Sequence, residues 1–100
     1  PEADVSMNVD KISFFLQAIG NATRIKILYF LGKQELSVSE LEELLQVRQP
    51  SLSQQLAKLR ANNLVKTRRV SKRIFYSLAN ENTQRLITSI FRAFDQDTRR

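Results

Sequence analysis

Neither cysteine nor histidine occurs anywhere in the 100 residues. Their absence removes the usual zinc ligands, the commonest general base and the most reactive nucleophile. Serine, lysine and carboxylates remain available for catalysis, but the chain is read as a non-enzyme that needs no metal and no cofactor. Zero cysteines also suit a reducing compartment. With only two glycines and two prolines there is no low-complexity linker, and no internal repeat is visible, so one domain is expected. No apolar run approaches the length of a membrane span. The opening PEADVSMN lacks the basic-then-apolar order of a signal peptide, and no membrane partner is expected. The cytoplasm is the expected compartment, and Pro1 at the start implies a trimmed or processed N-terminus.

What the chain does have is concentrated positive charge. Residues 46 to 80 carry Arg48, Lys58, Arg60, Lys66, Arg68, Arg69, Lys72 and Arg73 without a single acid, while the remaining residues hold eight cations against ten acids. A basic patch of this kind attracts a polyanion and neutralises phosphates with release of counterions. A domain this short buries a modest share of its surface, so self-association is expected to help stabilise it.

Along the chain, Val9, Ile12, Leu16 and Ile19 recur at helical spacing over residues 8 to 19, with Phe14, Phe15 and Ala18 widening the stripe. That apolar surface is broader than one neighbour can cover. Gly20 ends this helix, Asn21 caps the next, and Ile25, Leu28 and Leu31 are expected to face inward before Gly32 stops it. The run SVSE reads as a capping box between Ser37 and Glu40 that opens a short helix, with Leu41, Leu44 and Leu45 inward and Glu42 and Glu43 outward. After QVRQ, Pro50 fits the first position of a fourth helix. Its Leu52, Leu56 and Leu59 share one face, so Pro50, Ser51, Gln54, Ala57 and Lys58 look away from the core. From Leu64 to Leu78 the pattern turns β-branched and aromatic with interleaved cations, predicting a hairpin that turns near Ser71 and Lys72. Phe75 and Tyr76 are expected to pack in the core. A last helix over residues 82 to 95 carries Leu86, Ile90 and Phe94 on one stripe, with Ile87 and Phe91 beside it. Residues 1–7 and 96–100 are read as tails around one domain spanning 8–95.

A short acidic helix, a four-residue connector, a helix with a small polar face and a basic hairpin together make a helix-turn-helix with a wing. The second helix of such a motif enters the major groove, where side chains read base edges. Gln49 and Gln54 have the amide geometry for bidentate pairing with adenine. Ser51 and Ser53 can reach base edges or phosphates, and Gln55 is a further base-reading candidate. Arg48 and Lys58 are assigned to phosphates, as are Thr67, Arg68, Arg69, Lys72 and Arg73 of the wing. Double-stranded DNA is thus the expected partner. Rival readings are a non-specific architectural DNA- or RNA-binding protein, or a module that binds another regulator.

The segments AIGNATRIKIL, ELSVSELEELL, QPSLSQQLAKLRANNLVKTRR and IFYSL resemble the arsenic-repressor (ArsR/SmtB) family of bacterial regulators from about Phe15 to Phe94. The resemblance implies a mainly α winged helix-turn-helix with a β-hairpin wing, in the order of four helices, two strands and a fifth helix. It further implies a homodimer joined through the first and last helices. On those helices Phe14, Phe15, Ala18, Ile87, Ile90, Phe91 and Phe94 are the candidates for the interface, and Arg24 gains an expected phosphate contact. Repression from a palindromic operator is the usual outcome, although some relatives activate by displacing a silencing protein. Metal-sensing members carry cysteines where this chain has Ser37 and Ser39, and others bind zinc on the last helix, where only Glu81, Asp95 and Asp97 stand here. The chain is most similar to the biofilm-growth, sulfide-sensing, nodulation and haemolysin regulators. Redox members of that group place cysteines near the positions of Tyr29 and Asp95, so a thiol switch is not expected and the effector is left open.

Overall fold

The computed structural model describes residues 2–98, with side chains from 5 to 95. Its elements are α1 (Glu2–Ile19), α2 (Ala22–Lys33), β1 (Leu36–Ser37), α3 (Val38–Leu45), α4 (Ser51–Ala61), β2 (Val65–Val70), β3 (Arg73–Leu78) and α5 (Glu81–Thr98). This is a mainly α winged helix-turn-helix whose wing is the β2–β3 hairpin. The expected order lacked β1, a two-residue strand that pairs antiparallel with β3 and gives a sheet ordered β1-β3-β2. Two residues are too few to leave a period-2 signature in the sequence.

Local chemistry explains most of the boundaries. The Asn21 side chain accepts a hydrogen bond from the Arg24 backbone N–H at 3.1 Å, starting α2. The Ser37 hydroxyl accepts from the Glu40 N–H while the Glu40 carboxylate accepts from the Ser37 N–H, completing the expected capping box of α3. The Ser37 backbone N–H, and after it the Ser37 hydroxyl, hold the Glu40 carboxyl below its ordinary pKa. Asn80 caps α5 through the Thr83 N–H. Gln46, Asn63 and Ser71 take positive φ values of 57°, 59° and 57° at the end of α3, after α4 and in the hairpin turn. Chain reversals that usually recruit glycine are made here without one.

Four boundaries differ from the sequence reading. Helix α1 begins at Glu2, so residues 2–7, read as a tail, are helical: no glycine or proline interrupts EADVSM, and Val5 extends the spacing of Val9 and Ile12. At the other end α5 continues to Thr98, taking in 96–98, because DQDT contains no helix breaker. Gly32 lies inside α2, which runs on to Lys33. Pro50 is the N-cap residue of α4, one position earlier than expected.

The core gathers Ile27, Leu28, Leu41, Leu52, Leu56 and Leu59, all essentially inaccessible, with Leu31, Leu36, Leu45 and Leu78 around them. The leucine face of α4 is buried as its spacing required. Ile25 and Leu44, expected inside, are instead exposed, and Arg24 and Ile27 take the inward places on α2. Helix α2 is apolar on more than one side, so its spacing could not choose between these faces. In the hairpin, adjacent residues point to opposite sides of the sheet, and Phe75 and Tyr76 therefore cannot both be internal. Tyr76 packs against the core, whereas Phe75 lies outside it beneath the guanidinium groups of Arg68 and Arg73, 5.3 and 5.0 Å from the ring centre.

Candidate nucleic-acid interface

Burial of Leu52, Leu56 and Leu59 orients α4, because residues on the opposite arc of the helix must then face solvent. Ser51, Gln54, Ala57 and Lys58 are exposed there, as are Arg48 and Gln49 in the preceding connector. Gln54 has no side-chain hydrogen bond among the described residues, so both ends of its amide are available. Small side chains at 51 and 57 permit close approach of a groove.

Three of the five residues expected to read bases are otherwise engaged. The Gln49 amide oxygen accepts from the Ser53 backbone N–H at 2.9 Å and from the Ser53 hydroxyl at 2.5 Å. It thereby supplies the cap that Pro50, without a polar side chain, cannot give. This contact occupies the acceptor that a bidentate adenine contact needs, and it also ties up Ser53. Gln55 points to the other side of the helix, where its oxygen accepts from Arg24 Nη1 at 2.7 Å.

Arg24, expected at a phosphate, is instead buried to 8% exposure. Its Nε donates to the Ala18 carbonyl at 2.5 Å and Nη2 reaches the Gln17 carbonyl at 3.5 Å. One guanidinium thus closes the carbonyl end of α1 and links it to α4. Its place in the first turn of α2 looks like a surface position in sequence. Only the fold brings the two partner segments to it.

The wing cations divide by strand alternation. Lys66, Arg68 and Val70 pair across to Ser77, Phe75 and Arg73 on one face, while Thr67 and Arg69 pair to Tyr76 and Ile74 on the other. Arg68 makes a two-pronged contact with Glu35, at 2.9 and 2.6 Å. That contact lowers the Glu35 pKa and raises that of Arg68, in each case chiefly through the hydrogen bond itself. Arg73 Nη2 donates to the Ser37 hydroxyl at 3.1 Å. Arg68 and Arg73 therefore brace the wing against the start of α3, a role missed in the sequence because Glu35 and Ser37 lie more than thirty residues away. Thr67 is half-buried, whereas Arg69 and Lys72 sit exposed at the tip, with Arg69 Nε donating to the Ser71 carbonyl. Lys66 and Arg60, part of the basic patch but not assigned a DNA contact from the sequence, are exposed within the same stretch.

Of the residues expected at a dimer interface, Ala18 and Ile87 are 8% and 5% exposed and belong to the core of the protomer itself. Phe15, Ile90 and Phe91 are half-buried against that core. Phe14 and Phe94 are each 67% exposed, and Val5, Met7, Val9, Ile12, Leu16 and Leu86 are also open to solvent. The outward apolar surface of α1 and α5 is thus larger than the chosen residues suggested. No helix among the described residues is long and apolar enough to cross a membrane, and no cluster of metal-binding side chains occurs among them.

Residues 21–67, which run from the cap of α2 into β2, match the model of the bacterial regulatory protein arsR family. A biofilm growth-associated repressor of Agrobacterium fabrum is 40% identical over 84 residues, covering 84% of this chain and 72% of that protein. The transcriptional activator HlyU of Vibrio cholerae is 37% identical over 93 residues, covering 93% of this chain and 86% of that protein. The structure of its reduced form superposes with a TM-score of 0.86 at 36% identity, over 91% of this chain and 96% of that one. A homodimeric winged helix-turn-helix DNA-binding domain from Mycobacterium bovis superposes with a TM-score of 0.81 at 25% identity, over 91% and 84% of the two chains.

Proposed function

Because the chain belongs to the arsR family of bacterial regulatory proteins, we propose that it binds double-stranded DNA in a sequence-specific manner as a homodimeric transcriptional repressor. The observation that carries this reading is the orientation of α4, whose buried leucines hold Ser51, Gln54, Ala57 and Lys58 outward beside a basic hairpin. Gln54 and Ser51 read base edges, Arg48 and Lys58 hold phosphates, and Arg69 and Lys72 at the wing tip follow the backbone or the minor groove. Gln49, Ser53, Gln55, Arg24, Arg68 and Arg73 serve this surface indirectly, by capping α4 or bracing its neighbours. The partner protomer covers the open apolar faces of α1 and α5, placing two α4 helices in successive major grooves about 34–36 Å apart.

Selection of sites from a random duplex pool at near-physiological salt tests the reading. An enriched inverted repeat with half-sites one helical turn apart is expected, and an unenriched pool would reduce the protein to a phosphate binder. Gln54→Ala should weaken binding to the selected site by about 1–3 kcal/mol and leave non-operator binding unchanged. Titration on both duplexes measures this, and equal loss on the two would remove Gln54 from base reading. Replacing Arg69 and Lys72 together with glutamine should weaken binding to any sequence and flatten the salt dependence by about 0.9 for each phosphate that is no longer neutralised. An unchanged slope would take the wing tip off the DNA. The relatives include both a named repressor and a named activator. Loss of the gene should raise expression of a reporter under the selected site if the protein represses, and lower it if it activates.

A further inference from the structure

We infer that the open groove between α2 and α5 is a binding site for a small organic anion with an aromatic or otherwise apolar body. The groove encloses about 1000 Å³, at the upper end of the range for small-molecule sites. Tyr29 and Phe91 form its wall, their ring centres 4.8 Å apart, and Leu44 near the end of α3 also lines it. Leu44 is 47% exposed although its helix spacing marks it for the core, because it borders this space. Three cations, Lys26, Lys33 and Arg92, line the same groove, with Asp95 the one carboxylate among the lining residues. Lys33 lies with its Nζ 5.1 Å from the centre of the Tyr29 ring, so a positive charge already borders the aromatic wall.

An apolar wall together with excess positive charge selects an amphipathic anion. Its ring displaces water from Tyr29, Phe91 and Leu44, while its carboxylate takes charge-assisted hydrogen bonds from Lys33 and the planar donors of Arg92. A neutral apolar molecule would leave the cations unused, and an inorganic anion would leave the wall wet. At about 100° per residue, Thr88, Phe91 and Asp95 share the arc of α5 that faces the groove. Leu86 lies roughly 140–180° around the helix from that arc and Ile90 about 100–160°, while Phe94 is about 60° from Phe91. The contact with Leu44 places any occupant against the helix that leads into the α4 connector.

Titration of the full chain with 2-naphthoate, followed by calorimetry and by NMR of the aromatic resonances, should show saturable binding. A dissociation constant of about 1 mM or tighter is expected for a ligand of this size. The largest spectral changes should fall at Tyr29 and Phe91. The uncharged analogue 2-naphthylmethanol should bind about ten-fold more weakly, as should the Lys33→Gln, Arg92→Gln double variant towards 2-naphthoate. Both replaced residues are exposed, and an unchanged melting temperature would confirm that the variant is folded. Absence of saturation, equal affinity for the alcohol and the carboxylate, or changes centred on Phe14 and Phe94 would each overturn the assignment.

Discussion

Replacing Phe14 and Phe94 together with glutamate should convert the proposed dimer into a monomer at micromolar concentration. Each ring is two-thirds exposed in the isolated protomer and contributes about 1.5–3 kcal/mol when fully buried. Two-fold symmetry counts each ring twice. Even after allowance for incomplete burial, the dissociation constant of the dimer should rise by about three orders of magnitude. Sedimentation across a concentration series measures this directly. Operator affinity should fall in parallel, because a monomer loses the second half-site. A double variant that remains dimeric would move the interface away from α1 and α5. The protomer should still fold, since neither ring takes part in the core.

The second large effect concerns stability. Arg24→Ala removes the guanidinium that satisfies the Ala18 and Gln17 carbonyls and the Gln55 amide. Hydrogen bonds to a charged group contribute about 1.5–3 kcal/mol, and buried acceptors left without a partner add to the loss. A destabilisation of about 2–3 kcal/mol is expected, which lowers the melting temperature by roughly 8–24 °C for a domain of this length. The measurement requires fixed protein concentration, because dimerisation itself raises stability. Arg24→Lys keeps the charge but not the fork of donors and should fall between the two. Were Arg24 a phosphate contact, the alanine variant would melt like the parent and would instead show a shallower salt dependence of DNA binding. The two roles therefore give opposite patterns in two simple assays.

The winged helix-turn-helix was legible because each of its parts rests on short-range chemistry. The capping box at Ser37 and Glu40, the 52-56-59 leucine spacing and the acid-free run from 46 to 80 need no distant partner to be recognised. The outward residues of α4 followed as the complement of its buried face. The candidate site was legible only as a surface. Which of its polar groups remain available depends on partners more than thirty residues away for Arg68, Arg73 and Gln55, and on a local cap for Gln49 and Ser53. The hairpin shows the same division, since alternation required Phe75 and Tyr76 to point opposite ways but could not say which faced the core.

Periodicity, capping and charge placement are properties of neighbouring residues, so the chain alone settles its helices, its wing, its basic patch and its excess of apolar surface at both ends. Assigning that surface is another matter. Ala18 and Ile87 turn inward while Phe14 and Phe94 remain outside, and Arg24 becomes an internal brace instead of a surface cation. Ile25 and Leu44 come to border a groove instead of filling the core. Each of these outcomes depends on how helices pack across one another, and packing geometry is a property of the assembled whole. A helix apolar on several sides carries no local signal to say which side its neighbours will take.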